Sequence, residues 1–121
     1  MEVILKKELY NYKARIIRVV DGDTVDAQID CGFGIVITKR LRILDYDAPE
    51  TWRPKCEKEL QHGLKAKQKA QQLLEGKELY ITTGKDQGVY GRYLANIELE
   101  NGKDFAQYMK KLGLEKKESY N

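Results

Sequence analysis

Residues 12–29 read YKARIIRVVDGDTVDAQI, and the alternation inside this stretch decides the fold. Val25, Ala27 and Ile29 fall on one side of an extended chain, and Asp26, Gln28 and Asp30 on the other. That period of two is the mark of a half-buried strand. Asp21-Gly22-Asp23 interrupts it with turn-forming residues, so the stretch folds back on itself as a β-hairpin. Outward from this hairpin, Cys31-Gly32-Phe33-Gly34 is a second turn, followed by a long strand from Ile35 to Leu44. In that strand Ile35, Ile37, Leu41 and Ile43 share one face, and Arg40 and Arg42 share the other.

Pro49 and Pro54 bound an irregular stretch. Beyond it Leu60, Gly63, Leu64, Ala66, Ala70, Leu73 and Leu74 recur at the three-and-four spacing of a helix stripe, which Gly76 ends. Leu79 to Thr83 reads as a strand, Gly84 to Gly91 as a polar loop, and Tyr93 to Leu99 as a strand ending at Asn101-Gly102. Asp104 is placed to cap a second helix carrying Phe105, Tyr108, Met109 and Leu112, with Gly113 at its end. Three strands, a helix, two strands and a helix predict an α+β fold, a five-stranded and partly open barrel of the OB type with two to three helices packed against it.

At 121 residues the chain has the length of one domain, taken here as 1–121, and its apolar residues are needed for one interior. A monomer is therefore expected. Lys and Arg number 22 against 19 Asp and Glu, a bias too mild to identify a polyanion-binding protein by itself. Cys31 and Cys56 lack metal-ligand spacing and read as free thiols. No apolar run reaches the ~20 residues of a membrane span, so no membrane partner is expected. The start lacks a signal core. A cytoplasmic location is the default expectation, or a secreted one if a leader has been removed.

Unusual polar residues concentrate in three segments at strand ends and turns: Asp21-Gly22-Asp23-Thr24, Arg42 through Asp47-Ala48-Pro49-Glu50-Thr51, and Tyr90-Gly91-Arg92. Asp-Gly alone is an ordinary hairpin turn. In combination, however, Asp23, Asp47 and Glu50 would crowd acidic oxygens if the first two segments are neighbours. Two such charges at 4 Å repel by about 4 kcal/mol at an effective dielectric near 20, which a cation relieves. Oxygen-only ligands suit Ca²⁺ or Mg²⁺, and calcium tolerates the looser geometry. Arg42 and Arg92 each present a planar fork suited to phosphate.

These three motifs, in this order and with these separations, resemble the staphylococcal nuclease (thermonuclease) family from about residue 12 to about residue 114. The resemblance implies Ca²⁺, with Mg²⁺ as the lesser alternative, held by the carboxylates of Asp23 and Asp47 and the backbone carbonyl of Ala48. It further implies that Glu50 activates water, that Arg42 and Arg92 stabilise charge on the phosphate, and that Asp21, Tyr90 and Lys85 act from behind the metal or beside the substrate. DNA or RNA, single-stranded or flexible, would be cut internally to leave 3′-phosphates.

Asp45 departs from the family pattern, where that position is apolar or glycine; it either adds charge near the metal or caps the strand end. A third helix found in longer members has no counterpart here, which leaves open how the far wall of the barrel is covered. Trp52 and Arg53 can touch a base or phosphate, although packing is favoured for the tryptophan, and His62 is read as inert on a polar helix face. A non-catalytic barrel that binds single strands or protein partners is the alternative function. The presence of Asp23, Asp47, Glu50, Arg42 and Arg92 together favours the enzyme, because a binder has no physical need of all five.

Overall fold

The computed structural model describes residues 10–84 and 92–120. Five strands run in the order β1 (Asn11–Asp21), β2 (Thr24–Asp30), β3 (Val36–Ile43), β4 (Glu78–Thr83) and β5 (Tyr93–Glu98). Helix α1 (Glu57–Leu74) joins β3 to β4, and α2 (Phe105–Lys111) follows β5. The strands close as β1-β2-β3-β5-β4, with every pair antiparallel except β3 with β5.

Closure is complete rather than partial, and the length of β1 explains it. Its first five residues, Asn11 to Arg15, pair with Thr82 to Glu78 of β4, while Lys13 onward pairs with β2. One strand therefore serves two neighbours, and the sheet closes on itself. The barrel interior is filled by Ile16, Val25, Ala27, Leu41, Ile43, Ile81, Ala95 and Ile97, all essentially buried. Phe105 and Met109 of α2 close one end. Asp104 caps that helix as expected, accepting from Gln107 N at 3.0 Å.

Two apolar faces read from residue spacing are buried over only part of their length. Ile35, Val36 and Ile37 are exposed, because the β2–β3 hairpin runs past the barrel wall and only Leu41 and Ile43 reach the interior. In α1 the residues that bury are small ones, Gly63, Ala66 and Ala70 with Leu74, while Leu64 stays exposed. Small residues suit this face because the helix lies almost on the backbone beneath it.

Two glycines measure that closeness. A Cβ on Gly22 would stand 2.8 Å from Ala48 Cβ and 3.1 Å from Ala66 Cβ. One on Gly63 would stand 2.7 Å from the Pro49 carbonyl oxygen and 3.2 Å from that of Glu50. The hairpin turn, the 48–51 segment and α1 are thus pressed together with no room for a methyl group.

Gly63→Ala sets two effects against each other. Helix propensity alone would stabilise the variant by about 1 kcal/mol, whereas overpacking against a carbonyl costs typically 1–3 kcal/mol. The contact distances favour the second, so urea denaturation should give a lower midpoint; a raised midpoint would contradict the close approach described here.

Candidate functional site

Arg42 stands near the end of β3, paired with Thr24 at the start of β2 on one side and Leu94 of β5 on the other. Asp23 sits in the β1–β2 turn, and its carbonyl accepts from Ile43 N at 2.8 Å. The turn and the end of β3 are thereby fixed to one another. Leu44 N donates to Ala95 O, which ends the strand, and Asp45 then takes a left-handed backbone conformation with φ 61°. That conformation explains Asp45 as a turn residue: Asp and Gly tolerate positive φ, and β-branched residues do not. The chain reverses there and brings Asp47 and Ala48 back beside Asp23.

The guanidinium of Arg42 occupies the centre of this arrangement. Nη1 donates to the carbonyls of Ile43 at 2.8 Å and Tyr46 at 2.6 Å. Nη2 meets Asp23 Oδ2 at 3.3 Å and also donates to Asp47 Oδ1. Both acidic oxygens therefore converge on one positively charged nitrogen. The two arms differ in solvent access: the side chain of Asp23 is 14% exposed and that of Asp47 is 74% exposed. Ion pairs in water contribute little, so the Asp47 arm is the one that exchanges readily. Asp23 is further held by Ala48 N, 2.8 Å from Oδ2, and by the Thr24 hydroxyl, 2.9 Å from Oδ1.

Arg42 and Arg92 line the same cleft of about 590 Å³, together with Asp45, Tyr46, Asp47, Leu94, Gln107, Lys110 and Glu115. Arg92 enters from the residue preceding β5, half-buried, with its Nε shielded from solvent. Asp21, Asp23 and Glu50 do not line this cleft. They form a second group behind it. Burial raises the pKa of Asp21 above the ordinary carboxylate value, a backbone hydrogen bond from Gly22 opposes that, and the charges of Asp23 and Glu50 raise it further. Lys85 and Tyr90 lie outside the described residues.

Among the described residues, no three His, Cys, Asp or Glu side chains group as a metal site. The carboxylates of Asp23 and Asp47 offer oxygen donors, which suit a hard cation. The Arg42 guanidinium, a cation already lying between Asp23 and Asp47, shows that the pair can share one positive charge.

Sequence reasoning missed Glu59, which is fully buried. It lies at the third position of α1, whose first residue follows Cys56, a cap with no side-chain hydrogen bond. Glu59 supplies what Cys56 does not: Oε1 accepts from Lys55 N at 2.7 Å, and Oε2 accepts from Glu50 N at 3.4 Å and faces Lys116 Nζ at 3.5 Å. A glutamate at the third position of a helix start is a readable capping signal. Its reach to Glu50 is not readable, since that depends on the fold.

The stretch after α2 covers the loop from outside. Tyr46, whose phenol burial keeps protonated, donates to Leu114 O at 2.6 Å, and Lys116 N donates to Asp47 O at 2.8 Å. His62 has a structural role: Nε2 lies 2.7 Å from Gly113 O and Nδ1 2.8 Å from the Tyr120 hydroxyl. A carbonyl only accepts, so Nε2 carries a proton and the ring fastens this stretch to α1. The packing role read for Trp52 is corrected. It is 77% exposed rather than packed, with the Arg53 guanidinium 4.4 Å from its ring centroid. Cys31 and Cys56 are free thiols, as expected.

A family model described as staphylococcal nuclease homologue matches residues 40–121. No curated protein matches the chain.

Hydrogen bonds to Glu59, foremost that from Lys55 N, hold its pKa below the ordinary value for glutamate, which is about 4.3. A carboxylate depressed by folding contributes stability above its unfolded pKa, and that contribution is lost as pH falls through the folded value. Chemical denaturation at a series of pH values should therefore show the midpoint falling below about pH 4.3, with a shallower fall in Glu59→Gln. Equal slopes in the two proteins would remove Glu59 from this account.

Proposed function

Because the chain belongs to the staphylococcal nuclease homologues, we propose that it is a calcium-dependent nuclease that hydrolyses phosphodiester bonds of DNA and RNA with little sequence preference. The observation that carries this reading is the sharing of Arg42 Nη2 by Asp23 and Asp47, at a cleft that Arg92 also lines. A protein that only bound strands would need the arginines but not the paired carboxylates.

The carboxylates of Asp23 and Asp47 and the carbonyl of Ala48 would hold Ca²⁺, which when bound supplies positive charge that polarises the phosphodiester. Arg42 keeps its hold on the Ile43 and Tyr46 carbonyls and gives up the solvent-exposed Asp47 arm. Its fork, with that of Arg92, then donates to the non-bridging oxygens, where charge grows as the phosphorus becomes five-coordinate. Glu50 takes a proton from the attacking water. The new P–O bond forms as the bond to O5′ breaks, leaving a 3′-phosphate and an alkoxide that solvent protonates to the 5′-hydroxyl.

Glu50 has to be held still for this, because a base displaced by about 1 Å costs on the order of 10²-fold in rate. Glu59 from below and Gly63 from the side hold its backbone. Asp21 accepts from the Thr51 hydroxyl at 3.3 Å and steadies the next residue. Mg²⁺ is the less suitable ion, since it demands near-octahedral geometry that two carboxylates and a carbonyl on a loop do not enforce.

Incubated with heat-denatured DNA or with RNA, the protein should cut in Ca²⁺, cut little in Mg²⁺ and not cut in chelator. Glu50→Gln should lower the rate by about 10²- to 10⁴-fold, and Arg42→Ala or Arg92→Ala by at least about 10²-fold. Cutting that survives chelation, or Glu50→Gln at the parent rate, would overturn the mechanism. Binding without cutting would leave a non-catalytic barrel in its place.

A further inference from the structure

Trp52 is the one tryptophan of the chain, and at 77% exposure it is among its most exposed large side chains. Leaving an indole in water forgoes a burial worth more than that of most side chains, and a small domain has little stability to forgo. The cost is not the result of a loose loop. Glu50 N and Lys55 N, on either side, both donate to the buried Glu59. The Thr51 hydroxyl donates to Asp21, and the Thr51 methyl lies where a side chain on Gly63 would fall. Residues 50–55 are thus tied down at both ends, and the indole is presented from a fixed base.

Arg53 places its guanidinium 4.4 Å from the ring centroid. A cation over an indole is an attractive pair in itself, and it sets a positive charge beside a π-face. This is the composition of a stacking platform for single-stranded nucleic acid, an aromatic plane next to a charge that accompanies the backbone. Trp52 stands two residues beyond Glu50, at most about 7 Å along the chain. That is the reach of a single nucleotide from the phosphodiester whose attacking water Glu50 would deprotonate.

We infer that Trp52 and Arg53 form a base-stacking subsite that receives the nucleobase adjoining the scissile phosphate, with Trp52 contacting the base and Arg53 the neighbouring phosphate. The inference rests on the nuclease reading for its location, and on exposure and rigidity for its chemistry. A base inside a duplex already has both faces covered by its neighbours. The subsite therefore selects unstacked strands, whatever their sequence, because every base has a π-face.

The single tryptophan makes the test direct. Titrating the Glu50→Gln protein in Ca²⁺ with a fluorescein-free oligodeoxyadenylate should quench the indole emission, and the same sequence in duplex form should leave it unchanged. Measured by anisotropy with a fluorescein-labelled strand, Trp52→Ala should bind about tenfold more weakly, and Trp52→Phe, which keeps a ring, within about threefold of the parent. Emission that stays constant while anisotropy reports saturation would overturn the subsite, as would equal affinity in Trp52→Ala. If the protein cuts strands but its indole is unquenched, only the subsite falls. If the indole is quenched but nothing is cut, the nuclease reading falls and takes with it the subsite's place beside a scissile phosphate, while base stacking on Trp52 stands.

Discussion

One guanidinium holds two strand ends together. Without Arg42, the carboxylates of Asp23 and Asp47 would be left with no positive charge between them. With it, the turn after β1 and the reversal after β3 become a single unit, since the same side chain also binds the Ile43 and Tyr46 carbonyls. The arrangement is asymmetric. Asp23 is nearly enclosed and has backbone and hydroxyl donors besides arginine, whereas Asp47 reaches into solvent. The enclosed carboxylate is fixed by several donors, and the open one is reached by solvent.

Around this unit the protein fixes position through side chains bonded to backbone groups and through close backbone packing. Glu59 receives the N–H groups of Lys55 and Glu50. Gly22 and Gly63 allow α1 to lie against the turn and against the Pro49 and Glu50 carbonyls. The stretch after α2 adds a third restraint through Tyr46, Asp47 and His62. The first two act on the segment that carries Ala48 and Glu50, and the third on Tyr46 and Asp47, which also line the cleft. The lining of the cleft keeps exposed polar groups such as Asp47 and Gln107.

Much of this was legible in the residues alone. Period-two alternation placed β1 and β2, and the turn at Asp21-Gly22-Asp23 joined them as expected. Asn101-Gly102 and the Asp104 cap marked the passage from β5 to α2. The misreadings share a cause. Ile35 and Ile37 have the right spacing for an inward face, but a strand buries a face only where another element lies over it, and the β2–β3 hairpin runs beyond the barrel. Leu64 has helical spacing with its buried neighbours, yet the helix approaches so closely that small residues, not leucine, take the contact. Trp52 was read as a packing residue, and it stands 77% exposed.

By itself, the sequence determined the strand and helix order, the OB-type barrel, and the identity of the acidic and basic groups, because periodicity, turn chemistry and motif spacing act over a few residues at a time. Only the tertiary structure decided that Asp23 and Asp47 meet on Arg42, that Glu59 holds Glu50 from below, and that Trp52 stands outside the core. Those are contacts between segments distant along the chain, set by how the barrel closes and how near α1 can lie. No local pattern encodes a distance between two such segments.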